Sequence, residues 1–184
     1  MTDAAAQPTS PLQIPAYRHF WLARFLAVFA TLSMVVLLGY QVYDVARSDY
    51  GMSPRDAAFM LGLLGAAQFF PLMLLTPLAG VAADRYDRRQ VVLIANGVDC
   101  LLAIALTYAT WRDELSLPLL FSLAAGHGAA RVFNGPALSA IAPNIVPPAL
   151  LPRAIAFGSI AWQVGTVVGP AVGGLLFAWR PEAP

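Results

Sequence analysis

Residues 80–89 read Gly80-Val81-Ala82-Ala83-Asp84-Arg85-Tyr86-Asp87-Arg88-Arg89, and from Asp84 to Arg89 every residue but Tyr86 is charged. Apolar sequence of membrane-spanning length lies on both sides. A soluble domain has little reason to collect charge this way. A polytopic membrane protein does, because its charges gather where helices leave the bilayer.

Composition agrees. Hydrophobic residues make up 59% of the 184-residue chain and charged residues 11%, with a mean hydropathy of +0.66. Soluble domains run at about 45–50% apolar and about 25% charged. The net charge of +1 gives no basic face for nucleic acid. Cys100 is the single cysteine, so no internal disulfide forms and the redox compartment stays open. One cysteine and two histidines carry no metal signature, and no cofactor motif is present. Residues 1–16 lack the basic start of a signal peptide and read as a flexible tail.

Working outward from the charged loop, five apolar runs follow one another, at about 20–43, 57–79, 90–111, 117–141 and 154–179. Each exceeds the ~20 residues that cross ~30 Å of hydrocarbon. Lipid offers the backbone no partners, so each run must be a helix. Residues 17–184 are therefore expected to form one transmembrane domain of the all-α integral membrane class, with the bilayer as its first partner. Pro71, Pro77 and Pro170 fall inside runs, where a bundle tolerates kinks. Ser53-Pro54 before Arg55 and Asp56 fits a helix start, with Ser53 as N-cap and Pro54 at the first helical position.

All 11 basic side chains are arginines. Arg18, Arg24, Arg85, Arg88, Arg89 and Arg153 fall at one set of run ends. Arg47, Arg55, Arg112 and Arg180 fall at the other. The richer side is expected to be cytoplasmic, which puts the N-terminus and the charged loop inside and the end of the fifth run outside. Trp21, Trp111 and Trp179 stand at run ends, where an aromatic belt belongs.

Polar groups inside the runs are costly and so become functional candidates. Asn96 and Asp99 share a face of the third run; His127 and Arg131 share a face of the fourth. At about 1.5 Å per residue, Asp99 lies roughly 13–14 Å from the inner side and Arg131 roughly 15 Å. An Asp99–Arg131 pair is allowed if the two runs are neighbours. These two residues are the candidates for proton coupling or substrate binding; a structural ion pair is the competing reading for Asp99. Gln68, Asn96, His127 and Gln163 are candidates to line a cavity. A satisfied core histidine and interhelical hydrogen bonding compete for His127 and for the glutamines respectively. Gly165, Gly169 and Gly173 recur every four residues beside Pro170, giving a flat helix seam. In the loop, orientation explains Arg85, Arg88 and Arg89. It does not explain Asp84, which can pair locally or accept from a helix N-terminus. With Gly80 these residues are read as an inner-face latch that forms in one conformation and breaks in another.

These motifs resemble the major facilitator superfamily. Gly80-x-x-x-Asp84-Arg85-x-Asp87-Arg88-Arg89 is similar to that family's Gly-x-x-x-Asp-Arg-x-Gly-Arg-Arg between helices two and three, with Asp87 in place of a glycine. Arg131-x-x-x-Gly135 resembles its fourth-helix motif, whose arginine is implicated in proton coupling. Gly169-Pro170-x-x-Gly173-Gly174 resembles a fifth-helix motif associated with antiporters. Gln41-Val42-Tyr43-Asp44, Phe70-Pro71 and Pro136-Ala137 through Asn144-Ile145-Val146-Pro147 look like the enterobactin-exporter-like branch. The resemblance implies an incomplete N-terminal half of a twelve-helix fold, and proton-coupled efflux of a small-molecule substrate by alternating access. A partner is then expected, either a C-terminal half or a second copy. The rivals are a non-transporting fragment and a membrane subunit that needs another chain. An enzyme is disfavoured, since no Gly-x-Ser-x-Gly, His-Glu-x-x-His or catalytic carboxylate pair occurs.

Overall fold

A computed structural model describes residues 8–178, with all side chains in that range except those of 136, 137, 139, 140 and 176–178. Its elements are five long helices: α1 Pro15–Ser48, α2 Pro54–Arg85, α3 Arg88–Trp111, α4 Leu117–Ile145 and α5 Leu151–Ala178. The expected ends of the flexible tail (1–7) and of the fifth run (Trp179), with Arg180, lie outside the described residues. The remainder of the tail is ordered: Pro11–Gln13 forms a 3-10 turn and α1 starts at Pro15. One local and one long-range bond account for this. The Thr9 N–H donates to Gln13 Oε1 at 2.9 Å, and Arg153 Nη1 donates to the Thr9 carbonyl at 2.7 Å.

α1, α2, α3 and the segment Pro148–Leu175 are each long and apolar enough to cross a membrane. The chain is thus an all-α, multi-pass membrane protein. Phe59, Leu74, Leu93, Leu101 and Trp111 stand exposed on its outside, a surface suited to lipid rather than water.

The helices begin and end where local chemistry dictates. Ser53 caps α2, its Oγ accepting from the Asp56 N–H at 3.2 Å, and Pro54 sets the first turn. Asp87 caps α3, its Oδ1 accepting from the Arg89 N–H at 2.9 Å. Past α3, Asp113 takes φ 53°, and the Glu114 N–H reaches the Ala109 carbonyl at 3.0 Å. That closes a Schellman-type end at a residue type that tolerates the left-handed region. Inside α2, Thr76 Oγ1 bonds the Leu72 carbonyl at 2.6 Å, one residue before Pro77.

α4 is the hub. It packs along α2 and α3 and also touches α1, while α1 packs most extensively against α5. α2 and α3, linked only by Tyr86 and Asp87, hardly touch each other. Two apolar clusters occupy the two ends of the bundle. Near the ends of α1 and α3 lies one of Met34, Leu38, Val42, Leu64, Leu106 and Leu120. The other joins Tyr17, Val146, Leu150 and Ala154 at the opposite end. The stretch of α1 between them, residues 23–34, lines cavities.

Candidate functional site

The polar groups of α3 and α4 meet between the two apolar clusters. His127 is fully buried at 1% exposure, and its Nδ1 lies 2.9 Å from Asp99 Oδ1. Asn134 Nδ2 donates to Asn96 Oδ1 at 3.0 Å. These two rungs tie α3 to α4. His127 Nε2 and Asn134 Oδ1 are buried with no hydrogen-bond partner among the described residues.

The glycines on either side of His127 explain why the ring sits there. A side chain at Gly126 would crowd Leu102 of α3, at 3.2 Å. A side chain at Gly128 would run into the Gln68 backbone carbonyl of α2. α4 therefore lies close to both neighbours at the same level, and His127 is held between them. The sequence reading saw Gln68 and His127 but not that Gly128 sets their approach.

Asp99 pairs with His127, not with Arg131 as the depth argument allowed. The two α4 residues share a face only loosely: at 3.6 residues per turn, four positions leave a rotation of roughly 40°. That rotation turns Arg131 away from α3 and toward α1 and α5. There it lines a cavity of about 230 Å³ with Arg24, Thr31, Asn134 and Trp162. Asp99, Asn96 and His127 line a second cavity of about 370 Å³, with Ala23, Ala30, Thr31 and Cys100. Ala27 and Thr31 of α1 are common to both walls. Arg24, read in the sequence only as an orientation signal, and Thr31, not singled out there, are thus parts of the site. Gln163 is exposed and Gln68 half-buried, and neither lines these two cavities.

The glycine stripe of α5 lies on α1. A side chain at Gly165 would meet Val28 Cγ1 at 2.7 Å, and one at Gly169 would meet the Phe29 carbonyl at 2.9 Å. Gly173 faces the Ser33 carbonyl at 3.3 Å. Three α1 side chains donate to α5 carbonyls: Tyr17 Oη to Ala154 at 2.6 Å, Trp21 Nε1 to Phe157 at 2.8 Å and Ser33 Oγ to Gly169 at 2.9 Å. Pro170 stays inside the helix.

In the charged loop, Gly80, Asp84 and Arg85 belong to the last turns of α2, and Arg88 and Arg89 open α3. Asp87, not Asp84, caps α3, which gives the carboxylate in the glycine position of the pattern a local job. Asp84 is exposed, and no ion pair of Asp84 is found among the described residues.

Residues 6–183 match the family of transmembrane secretion effectors, a group within the major facilitator superfamily. The chain belongs to this family. Among its relatives, the chain is 30% identical over 164 residues to the enterobactin exporter EntS of Escherichia coli O1:K1 / APEC. It is equally similar to the enterobactin exporter EntS of Shigella boydii serotype 18. Each match covers 89% of this chain and 37% of the relative, so the chain spans well under half the length of the curated relatives it matches. No solved structure matches it. The five helices are part of a major facilitator fold.

Proposed function

We propose that this chain forms part of a proton-coupled exporter of a small organic molecule, working by alternating access in a bacterial inner membrane. The observation that carries the reading is the Asp99 carboxylate, hydrogen-bonded to a fully buried His127 on a cavity wall inside a membrane-spanning bundle. A carboxylate at that depth is costly unless it is paired or exchanges a proton, and such groups mark ion pathways. The hydrogen bond between His127 Nδ1 and Asp99 Oδ1 holds the carboxylate on the cavity wall. Proton uptake there removes a charge from between α3 and α4 and changes which arrangement of helices is favoured.

The charged loop fits the same scheme. Asp84 occupies the last turn of α2, where the helix dipole favours cations, so its carboxylate is poorly served locally and available to a partner. With Gly80, Arg85, Arg88 and Arg89 it forms the inner-face latch. The arginine-rich ends, including the N-terminus, face the cytoplasm. Neither cavity is enclosed by the described residues, and further helices, from the same polypeptide or a second copy, complete the wall.

The test uses the complete transporter in liposomes. Asp99→Asn and His127→Gln each abolish uphill flux driven by an imposed pH gradient while the protein inserts normally. Full gradient-driven flux in either variant overturns the reading.

A further inference from the structure

The cavity of Arg24 and Arg131 carries a chemistry the proton site does not. It brings an arginine from α1 and one from α4 into a single lining, beside Asn134, with Trp162 as a further side. No carboxylate among the described residues lines it. The nearest candidate counter-ion by depth, Asp99, is engaged by His127 and lines the other cavity. No ion pair of Arg24 or Arg131 is found among the described residues.

Two cations on one partly buried wall repel each other and lose hydration, and the penalty grows as the local dielectric falls. Such a pair is stabilised by an anion placed between them. Guanidinium forks match carboxylate oxygens two bonds at a time, with a strength that charge assistance roughly doubles. At about 230 Å³ the cavity is smaller than the ~300–1,000 Å³ of sites that enclose a whole drug-sized ligand. It suits a small acid, or the acidic head of a larger molecule whose body extends through the open side. Trp162, Val28 and Leu32 supply apolar surface for the carbon next to that head.

We infer that this cavity is an anion subsite, and that the exported molecule is an organic acid whose carboxylate sits between Arg24 and Arg131. The inference names the substrate class of the exporter proposed above and rests on that reading for transport, though not for binding. Arg24 then contacts the substrate.

The test is binding of benzoate to the purified full chain in detergent, measured calorimetrically, with benzamide as the neutral isostere. Benzoate is expected to bind at least about tenfold more tightly than benzamide, the scale of one charge-assisted hydrogen bond. Arg24→Gln and Arg131→Gln each weaken benzoate at least about tenfold and leave benzamide unchanged. Arg112→Gln, altering an exposed arginine paired with Glu114 away from the cavity, changes neither. Circular dichroism checks folding, and Arg24→Lys, which keeps the charge, recovers part of the affinity. Equal binding of benzoate and benzamide, or unchanged affinity in Arg24→Gln, overturns the proposal. So does a dependence on Arg24 and Arg131 seen only with phosphatidylglycerol micelles, which assigns the cavity to a lipid headgroup. Flux failure and binding failure separate cleanly. If Asp99→Asn keeps full gradient-driven flux while benzoate binds as predicted, the proton coupling fails and the anion subsite stands.

Discussion

Two aspartates three residues apart behave differently because each meets a different helix end. Asp87 faces the free N–H groups at the start of α3 and caps it. Asp84 faces the carbonyl end of α2. Replacing Asp87 by Ala should therefore cost about 1 kcal/mol of stability. Replacing Asp84 by Asn should leave the chain unchanged or raise its stability by about 0.3–1 kcal/mol. Thermal unfolding in detergent measures both. If Asp84 serves the latch, the same Asp84→Asn change impairs transport by the complete protein without loss of stability, and unimpaired transport removes Asp84 from that role. The sequence showed that Asp99 is a charged residue inside an apolar run. It did not show its partner, because His127 and Arg131 differ by one helical turn in depth, and the rotation about α4 decides between them.

At the scale of helices, the close approaches are specific and can be ranked. Gly128→Ala places a methyl group against the Gln68 backbone carbonyl, and neither helix has a flexible side chain to yield. It should destabilise the bundle by about 1–3 kcal/mol or more. Gly169→Ala meets the Phe29 carbonyl at 2.9 Å and falls in the same class. Gly174→Ala, with nothing within 4 Å, should be neutral. Melting temperatures of the three variants in one detergent test the order. The stripe Gly165, Gly169, Gly173 was legible from its spacing of four. Its partner was not, since periodicity names a face and not what covers it. Three side-chain bonds from α1 to α5 accompany the stripe.

For the whole molecule, the number and order of helices followed from apolar length, because lipid permits few other structures. Which helices pack together did not follow. α2 and α3 are neighbours in sequence and nearly strangers in space, while α4 receives both. Short connections constrain the ends of helices and not their faces. Asn96, Asp99, His127 and Arg131 were visible as separate polar residues; their division between an acidic and a basic cavity needed α1, whose Arg24 and Thr31 looked ordinary. Neither cavity is enclosed by the described residues, so the five helices alone should not move substrate. Liposomes holding only this chain are expected to show no substrate-dependent flux, and measurable flux would mean that the pathway is complete within it.

The pairing of α1 with α5 also bears on how the protein is made. Roughly 100 residues separate the end of α1 from the start of α5, which at about 5–20 residues per second is on the order of 5–20 s of synthesis. Through that interval the nascent α1 stands in the bilayer with Tyr17, Trp21 and Ser33 lacking the carbonyls they will bond. Insertion machinery that shelters α1 until α5 emerges would shorten its exposure to wrong partners. Slow translation across residues 117–145 would lengthen it.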